Sequence, residues 1–171
     1  MVKHSQLFID SLIHPKKLAG YRMLSIGKVI QYVFILTTLL TIFPFIDFIT
    51  GVSKEITFDI EGLAQYVEDI QWLLYPFALV VLFLTSTALV FIQISIYALV
   101  GIGLLKLMNR RGEYRHMWRS SALAITWTTL LSILFPYLPL HNLIGTLLSI
   151  VITITLLIIA TTKYPKLPVK K

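Results

Sequence analysis

The chain has 171 residues, of which 57% are hydrophobic and 13% are charged, against about 25% charged residues in an ordinary soluble domain. This composition and a mean hydropathy of +0.82 indicate a membrane protein. The absence of cysteine excludes disulfides, thiolate metal sites and cysteine nucleophiles. A net charge of +7 would suggest nucleic-acid binding in a soluble protein, but membrane proteins carry basic cytoplasmic loops. No nucleic-acid-binding motif is present, so we expect no nucleic-acid partner.

The first 28 residues are rich in lysine and arginine and precede the first apolar run. Leu7, Phe8, Leu12 and Ile13 follow helical spacing, and Pro15 comes directly after them. This pattern fits a short interfacial helix that ends at the proline. It fits an ordinary juxtamembrane segment equally well, and both interpretations stay open.

Residues 29–46 are long and apolar enough for a first membrane span, and the acidic stretch 47–69 follows them. Part of this stretch has apolar residues at three- and four-residue steps, which is typical of an amphipathic helix. These residues are Ile60, Leu63, Ala64, Val67 and Ile70. We predict a short acidic extracytoplasmic loop, 47–69, with an amphipathic helix that continues into the second span.

Residues 70–105 contain no charged side chain. As one helix they would measure about 54 Å, whereas the hydrocarbon core of a bilayer is about 30 Å thick. The run is therefore either one long helix, tilted or kinked, or two spans joined by a tight hairpin. Pro76 and the Thr85–Thr87 cluster are the expected bends in a single helix.

The distribution of charged residues distinguishes a topology with four spans from one with five. Residues 122–138 and 140–161 form the last two apolar runs, after a basic segment at 106–121 and before a basic tail at 162–171. With four spans, the N-terminal segment, the 106–121 segment and the tail share one side and carry five, five and four of the fifteen basic residues. Six of the eight acids lie in the opposite loop. The positive-inside rule then predicts an all-α integral membrane bundle of four transmembrane helices, with both termini cytoplasmic.

The basic segment is the first candidate site. A helix that resumes near Glu113 would place Arg115, Trp118 and Arg119 on one face. Tryptophan favours the headgroup level, and each arginine near an anionic membrane surface contributes about 1 kcal/mol. We predict a contact with anionic lipid headgroups, and a docking surface for a cytoplasmic partner is the alternative. The candidate residues are Lys106, Arg110, Arg111, Arg115, Trp118 and Arg119.

The spans carry no central charge, which disfavours an ion-coupled transporter and leaves a passive path open. Gln93 and Tyr97 lie one helical turn apart and are the candidate buried polar contact. An interhelical hydrogen bond is the expected role of this pair, and a substrate site is the alternative.

Catalytic patterns are missing from the sequence. The four histidines have no metal-ligand spacing, and no hydrolase, phosphate-binding or dinucleotide-binding motif occurs. Glu68, Asp69 and His141 are the remaining candidates for acid–base chemistry. We predict no catalytic residue, no cofactor and no metal, and hence no enzyme.

Three short elements resemble those of a bacterial family of multi-pass membrane proteins with a numbered domain of unknown function, and some members of this family carry the name maltodextrin utilization protein. The elements are Pro15-Lys16-Lys17, Gly27-Lys28 before the first span, and a Tyr-Arg-x-x-Trp-Arg element formed by Tyr114-Arg115 and Trp118-Arg119. The resemblance covers most of the chain and implies a four-helix protein of the bacterial cytoplasmic membrane. It implies no established activity. The chain departs from the family in its short 47–69 loop, where relatives have a sizeable extracytoplasmic domain.

Three functional hypotheses follow. The leading one is a non-catalytic accessory or regulatory membrane protein that acts through helix and lipid contacts, with another membrane protein or a second copy as further candidate partners. The alternative is a passive conduit or carrier component linked to sugar (maltodextrin) uptake. The third is a membrane enzyme acting on lipids or envelope precursors.

Overall fold

The computed structural model describes residues 3–55, 63–138 and 142–167, with the backbone alone for residues 52–55, 63–68 and 142. Every regular element in these ranges is helical. The elements, in chain order, are α1 (His4–Ile13), a first 3₁₀ segment (Pro15–Met23), α2 (Ile26–Glu55), α3 (Leu63–Leu107), α4 (Tyr114–Leu134), a second 3₁₀ segment (Phe135–Tyr137) and α5 (Asn142–Thr161).

Helices α2 to α5 each contain a stretch that is long and apolar enough to cross a membrane. These stretches are Ile26–Gly51, Asp69–Leu107, Tyr114–Tyr137 and Leu143–Thr161. The predicted all-α fold with four long apolar helices is therefore confirmed. The third stretch begins earlier than the predicted span at residue 122, because the second half of the basic segment is already helical.

Helix α3 is a single helix of 45 residues, about 68 Å long, and exceeds the thickness of a hydrocarbon core. Pro76 and the Thr85–Thr87 cluster both lie inside it, so the second apolar run forms no hairpin. Its first residue, Leu63, belongs to the predicted amphipathic segment, whereas Ile60 lies outside the described residues. The uninterrupted helix agrees with a run that has no turn-forming pair of residues.

The core is concentrated at one end of the bundle. Helix α4 contacts the other three long helices as well as α1 and the first 3₁₀ segment. Buried serine and alanine residues at its start, Ser120 to Ala124 with Leu123 among them, allow close approach of these neighbours. The first half of α3 has little protein around it, and Trp72 and Phe77 are exposed. In a membrane, lipid chains would cover that surface.

The N-terminal segment is docked on the bundle. Helix α1 ends at Ile13, before Pro15, in agreement with the interpretation as a helix. The Ser11 hydroxyl lies 3.0 Å from the Tyr32 hydroxyl, which lies 2.7 Å from that of Thr126 on α4. The Trp127 indole donates a hydrogen bond to the Leu12 carbonyl at 3.1 Å. These polar contacts attach α1 to both α2 and α4.

Candidate functional site

The chain turns sharply at the end of α3. Asn109 adopts a left-handed backbone conformation, with φ of 52°. Its N–H bonds to the Lys106 carbonyl at 3.2 Å, and the Arg110 N–H bonds to the Leu105 carbonyl at 2.8 Å. This pair of bonds is a Schellman ending, which asparagine tolerates better than most residues. The turn brings the basic segment back over the end of the bundle.

The basic segment is paired with the C-terminal tail. The Arg111 N–H donates to the Pro165 carbonyl at 2.7 Å, and the Leu167 N–H donates to the Asn109 carbonyl at 3.0 Å. At Gly112 an added Cβ would lie 2.6 Å from the Leu105 side chain, so the backbone approaches too closely for a larger residue. The tail is thus held against the loop by backbone bonds.

Tyr164 joins this pairing to the rest of the fold. It is 1% exposed, and its hydroxyl lies 2.8 Å from the Ser120 hydroxyl. The same hydroxyl donates to the His116 carbonyl at 3.2 Å. The Arg22 guanidinium lies over the ring, 5.1 Å from its centre. Burial raises the pKa of the Tyr164 hydroxyl, which therefore stays a neutral donor.

Glu113 defines the start of α4. Its side chain accepts from the His116 backbone N–H, and the Glu113 N–H donates to His116 Nδ1 at 3.4 Å, which completes a capping box. The Glu113 carboxylate also pairs with Arg115 Nε at 2.6 Å. An acidic residue is favourable at this helix end because the helix dipole is positive there. Helix α4 therefore begins next to Glu113, near the residue where the sequence analysis considered that a helix could resume.

The structure divides the six candidate residues of the basic segment into those with intramolecular partners and those without. Arg110 donates to the Tyr164 carbonyl at 2.8 Å, and Arg119 donates to the Arg22 carbonyl at 2.7 Å. Trp118 packs against the Phe91 ring, with 5.9 Å between the ring centres. Arg115 is paired with Glu113, as described above. Only Lys106 and Arg111, among these six, have exposed side chains without an ion pair to a described residue.

Two tail lysines join these cations. Lys163 and Lys166 are exposed, and Lys166 lies opposite Arg110 in a single antiparallel bridge. Sequence reasoning assigned the tail to the same side but did not include it in the candidate site. The sequence signal that could have identified these lysines is the positive charge of the tail directly after the last apolar run. We call Lys106, Arg111, Lys163 and Lys166 the basic surface, and none of the four forms an ion pair with a described acidic residue.

A buried carboxylate lies in the N-terminal segment and was not singled out from the sequence. Asp10 is 3% exposed and accepts hydrogen bonds from Lys17 Nζ at 2.8 Å and from the Tyr21 hydroxyl, and His14 Nδ1 lies 3.1 Å from its carboxylate. The hydrogen bonds from Lys17 and Tyr21 hold the pKa of Asp10 below its usual value. Burial, with the Asp10 carboxylate beside it, raises the pKa of Tyr21 to about 12. The carboxylate ties α1 to the first 3₁₀ segment.

The two residues of the predicted polar pair, Gln93 and Tyr97, differ in burial. Tyr97 is buried, and its hydroxyl interacts with Thr153 and Thr128, whose own hydroxyls bond to each other. Gln93 is exposed and lines a cavity between α3, α4 and α5. Both side chains line that cavity, but only Tyr97 is buried, so the buried polar contact seen here does not include Gln93. Residues four apart differ by about 40° around a helix, and here that angle separates a buried side chain from an exposed one.

Among the described residues, no group of three or more histidine or acidic side chains could hold a metal ion. Asp69 is exposed. The other two candidates for acid–base chemistry, His141 and the side chain of Glu68, lie outside the described residues.

The chain matches the model of a protein family described as protein of unknown function (DUF1189), over residues 5–67 and 53–161. Because these segments cover most of the chain, it belongs to that family. The two segments overlap at residues 53–67, from the end of α2 to the beginning of α3. Comparison with curated proteins and with solved structures gives no significant match.

Proposed function

We propose that this DUF1189 protein is a non-catalytic accessory or regulatory component of the bacterial cytoplasmic membrane, and that its basic surface contacts anionic lipid headgroups. The observation that carries the proposal is the set of four exposed cations, Lys106, Arg111, Lys163 and Lys166, without acidic partners among the described residues. They come from the end of α3, the following loop and the tail.

The rigidity of this end supports the proposal. The Schellman ending at Asn109, the backbone bonds to the tail and the buried Tyr164 hold the loop and the tail together. Backbone positions that are ordered before binding lose less conformational entropy when they bind. Each cation near an anionic leaflet contributes about 1 kcal/mol, so four contribute about 4 kcal/mol before salt screening.

The charge distribution supports a cytoplasmic location for both termini. The basic surface lies at the end of the bundle that holds the N-terminal segment, the α3–α4 loop and the tail, whose parts contact one another through Arg22, Arg110 and Tyr164. The positive-inside rule assigns such an end to the cytoplasm. Anionic lipids of the cytoplasmic leaflet would then face the basic surface.

We favour the accessory role over the alternative, a passive conduit linked to maltodextrin uptake. The Phe135 ring packs directly against Gly145, where an added Cβ would lie 2.8 Å from the ring. Both residues line the cavity between α3, α4 and α5 and contact each other there. A conduit needs a continuous path, and this contact works against one.

Native mass spectrometry of bound lipid tests the proposal. The protein is purified in mild detergent and titrated with phosphatidylglycerol or phosphatidylcholine. Native protein should prefer phosphatidylglycerol, and Arg111→Gln should weaken phosphatidylglycerol binding about fivefold, which corresponds to about 1 kcal/mol. Replacing all four cations of the basic surface by glutamine should abolish the preference.

Arg115→Gln is the matched control, because it removes the same charge from a side chain already paired with Glu113. It should change phosphatidylglycerol binding less than twofold. Equal affinity of the native protein for both lipids, or an undiminished preference in the fourfold variant, would show that the basic surface does not bind headgroups.

A further inference from the structure

A cavity with a volume of about 640 Å³ lies within the apolar part of the bundle. Tyr97, Gly145 and Ser149 form its buried wall. Ile96 on α3 and Ile150 on α5 line it and are exposed. Because these exposed residues belong to stretches of spanning length, the cavity opens toward the hydrocarbon region of a membrane.

The lining is apolar with scattered uncharged polar groups. The polar residues are Gln93, Tyr97, Thr128, Ser132, Thr146 and Ser149. No charged side chain is among the lining residues that the structure describes. A charged ligand would therefore have no counter-ion there and would lose its hydration, whereas a neutral ligand would meet hydrogen-bonding groups at no such cost.

Gln93 is one of these polar residues that line the cavity. Its carboxamide can donate two hydrogen bonds and accept others, yet it makes none with the part of the chain that the structure describes. It is 14 residues from the end of α3 at Leu107 and well inside the apolar stretch Asp69–Leu107. Water is scarce at that depth, so an unsatisfied amide is unfavourable and calls for a partner within the membrane.

We propose that this cavity binds a neutral amphiphile drawn from the membrane, of the monoacylglycerol or diacylglycerol class. Its uncharged ester or hydroxyl oxygens bond to the Gln93 amide, and an acyl chain lies along Ile96, Val100 and Ile154. The volume falls within the 300–1,000 Å³ typical of small-molecule sites. This site lies in the apolar core of the bundle and does not depend on the basic surface.

Photolabelling tests the proposal. The full chain is placed in nanodiscs of phosphatidylcholine with a monoacylglycerol that carries a diazirine in its acyl chain. After irradiation, labelled peptides are identified by mass spectrometry. We expect the label on the cavity-lining parts of α3 and α5. A monoacylglycerol phosphate with the same diazirine-bearing acyl chain should label these parts at least tenfold less.

Two variants locate the site. Ile96→Trp places a large side chain at the opening and should lower labelling more than tenfold, and Gln93→Leu, which removes the hydrogen bond, should lower it about tenfold. Leu99→Trp is the matched control, because Leu99 is also exposed on α3 and does not line the cavity. It should leave labelling within twofold of the native value. All three positions are exposed, so the substitutions leave the packed core intact.

Labelling of Ile96→Trp at the native level would overturn the proposal. So would equal labelling by the phosphate probe. A second copy of the chain is the competing occupant. If Gln93→Cys forms a disulfide-linked dimer in native membranes and Leu99→Cys does not, a second copy covers Gln93 and the proposal is wrong.

Discussion

The Arg22 guanidinium lies 5.1 Å from the centre of the Tyr164 ring, so a residue before the first apolar helix touches one after the last. Arg119 on α4 donates to the carbonyl of the same Arg22, and Arg110 donates to the carbonyl of the same Tyr164. A cation–π contact contributes about 0.5–2 kcal/mol, more when it is desolvated. The N-terminal segment, the α3–α4 loop and the tail are therefore locked together at one end of the bundle.

Tyr164→Phe should lower the free energy of unfolding by about 1 kcal/mol, because it removes the hydrogen bonds of a buried hydroxyl and keeps the ring under Arg22. The melting temperature in detergent should fall by about 2–4 °C. Tyr137→Phe is the control, because Tyr137 is exposed and should tolerate the change. Equal melting temperatures for native protein and Tyr164→Phe would contradict the role assigned to the hydroxyl.

Asp10→Asn should loosen the N-terminal segment, because an amide cannot replace a carboxylate that accepts from both Lys17 and Tyr21. Loss of charge-assisted hydrogen bonds of this kind costs about 1.5–3 kcal/mol. Trypsin should then cleave faster after Lys17 and Arg22 in the variant. Asp69→Asn, which changes an exposed acid on α3, should leave the cleavage rate unchanged.

The contact of Asp10 with Lys17 and Tyr21 predicts that the stability of the protein depends on pH. The pKa of Asp10 is lowered from its ordinary value of 3.8, so its contribution to stability is present above pH 3.8 and is lost as the pH falls through the lowered pKa. The pKa of Tyr21 is raised from 10 to about 12, so its contribution is complete below pH 10 and is lost toward pH 12. The difference in melting temperature between native protein and Asp10→Asn should persist from about pH 5 to pH 9. A difference that disappears within that range would count against the contact.

Gly145→Ala should destabilise the junction of α4 and α5, because the added methyl would lie 2.8 Å from the Phe135 ring. Overpacking of this kind costs about 1–3 kcal/mol. Gly103→Ala is the matched control, since nothing lies within 4 Å of its added Cβ and alanine favours a helix. Thermal unfolding should show a lower melting temperature for Gly145→Ala and an undiminished one for Gly103→Ala. Equal melting temperatures for the two variants would mean that the junction can accommodate the added methyl group.

The orientation can be measured by single-cysteine labelling, because the chain contains no cysteine. Arg111 is exposed in the basic surface, and Gly51 near the other end has open space around an added Cβ. An impermeant maleimide added to intact cells should label Gly51→Cys and should label Arg111→Cys only after permeabilisation. The reverse pattern would place the basic surface outside the cell. Gly112 is unsuitable, since its Cβ would contact Leu105.

The four apolar helices could be predicted from the sequence because length and hydropathy are local properties. A run such as 70–105 needs no partner to show that it is apolar, and the charge distribution favoured a single helix, which α3 is. The end of the bundle that holds the basic residues was also predicted. Charge counting across the loops requires only that spans alternate in direction.

The individual contacts could not be predicted in this way. Gln93 and Tyr97 lie one helical turn apart and line the same cavity, yet Tyr97 is buried against Thr153 and Gln93 is exposed. The direction of each side chain depends on how α3 is rotated against α4 and α5. Small rotations of the packed helices decide it.

By itself, the sequence determined that this protein has four apolar helices and a basic end, because composition and spacing set where a chain is apolar or charged. Only the tertiary structure decided which cations remain unpaired, that Asp10 is buried and accepts a hydrogen bond from Lys17, and that the Arg22 guanidinium lies over the Tyr164 ring. The physical reason is that these contacts join residues from different elements. Packing of the helices brings them together, and no local pattern records which pairs will meet.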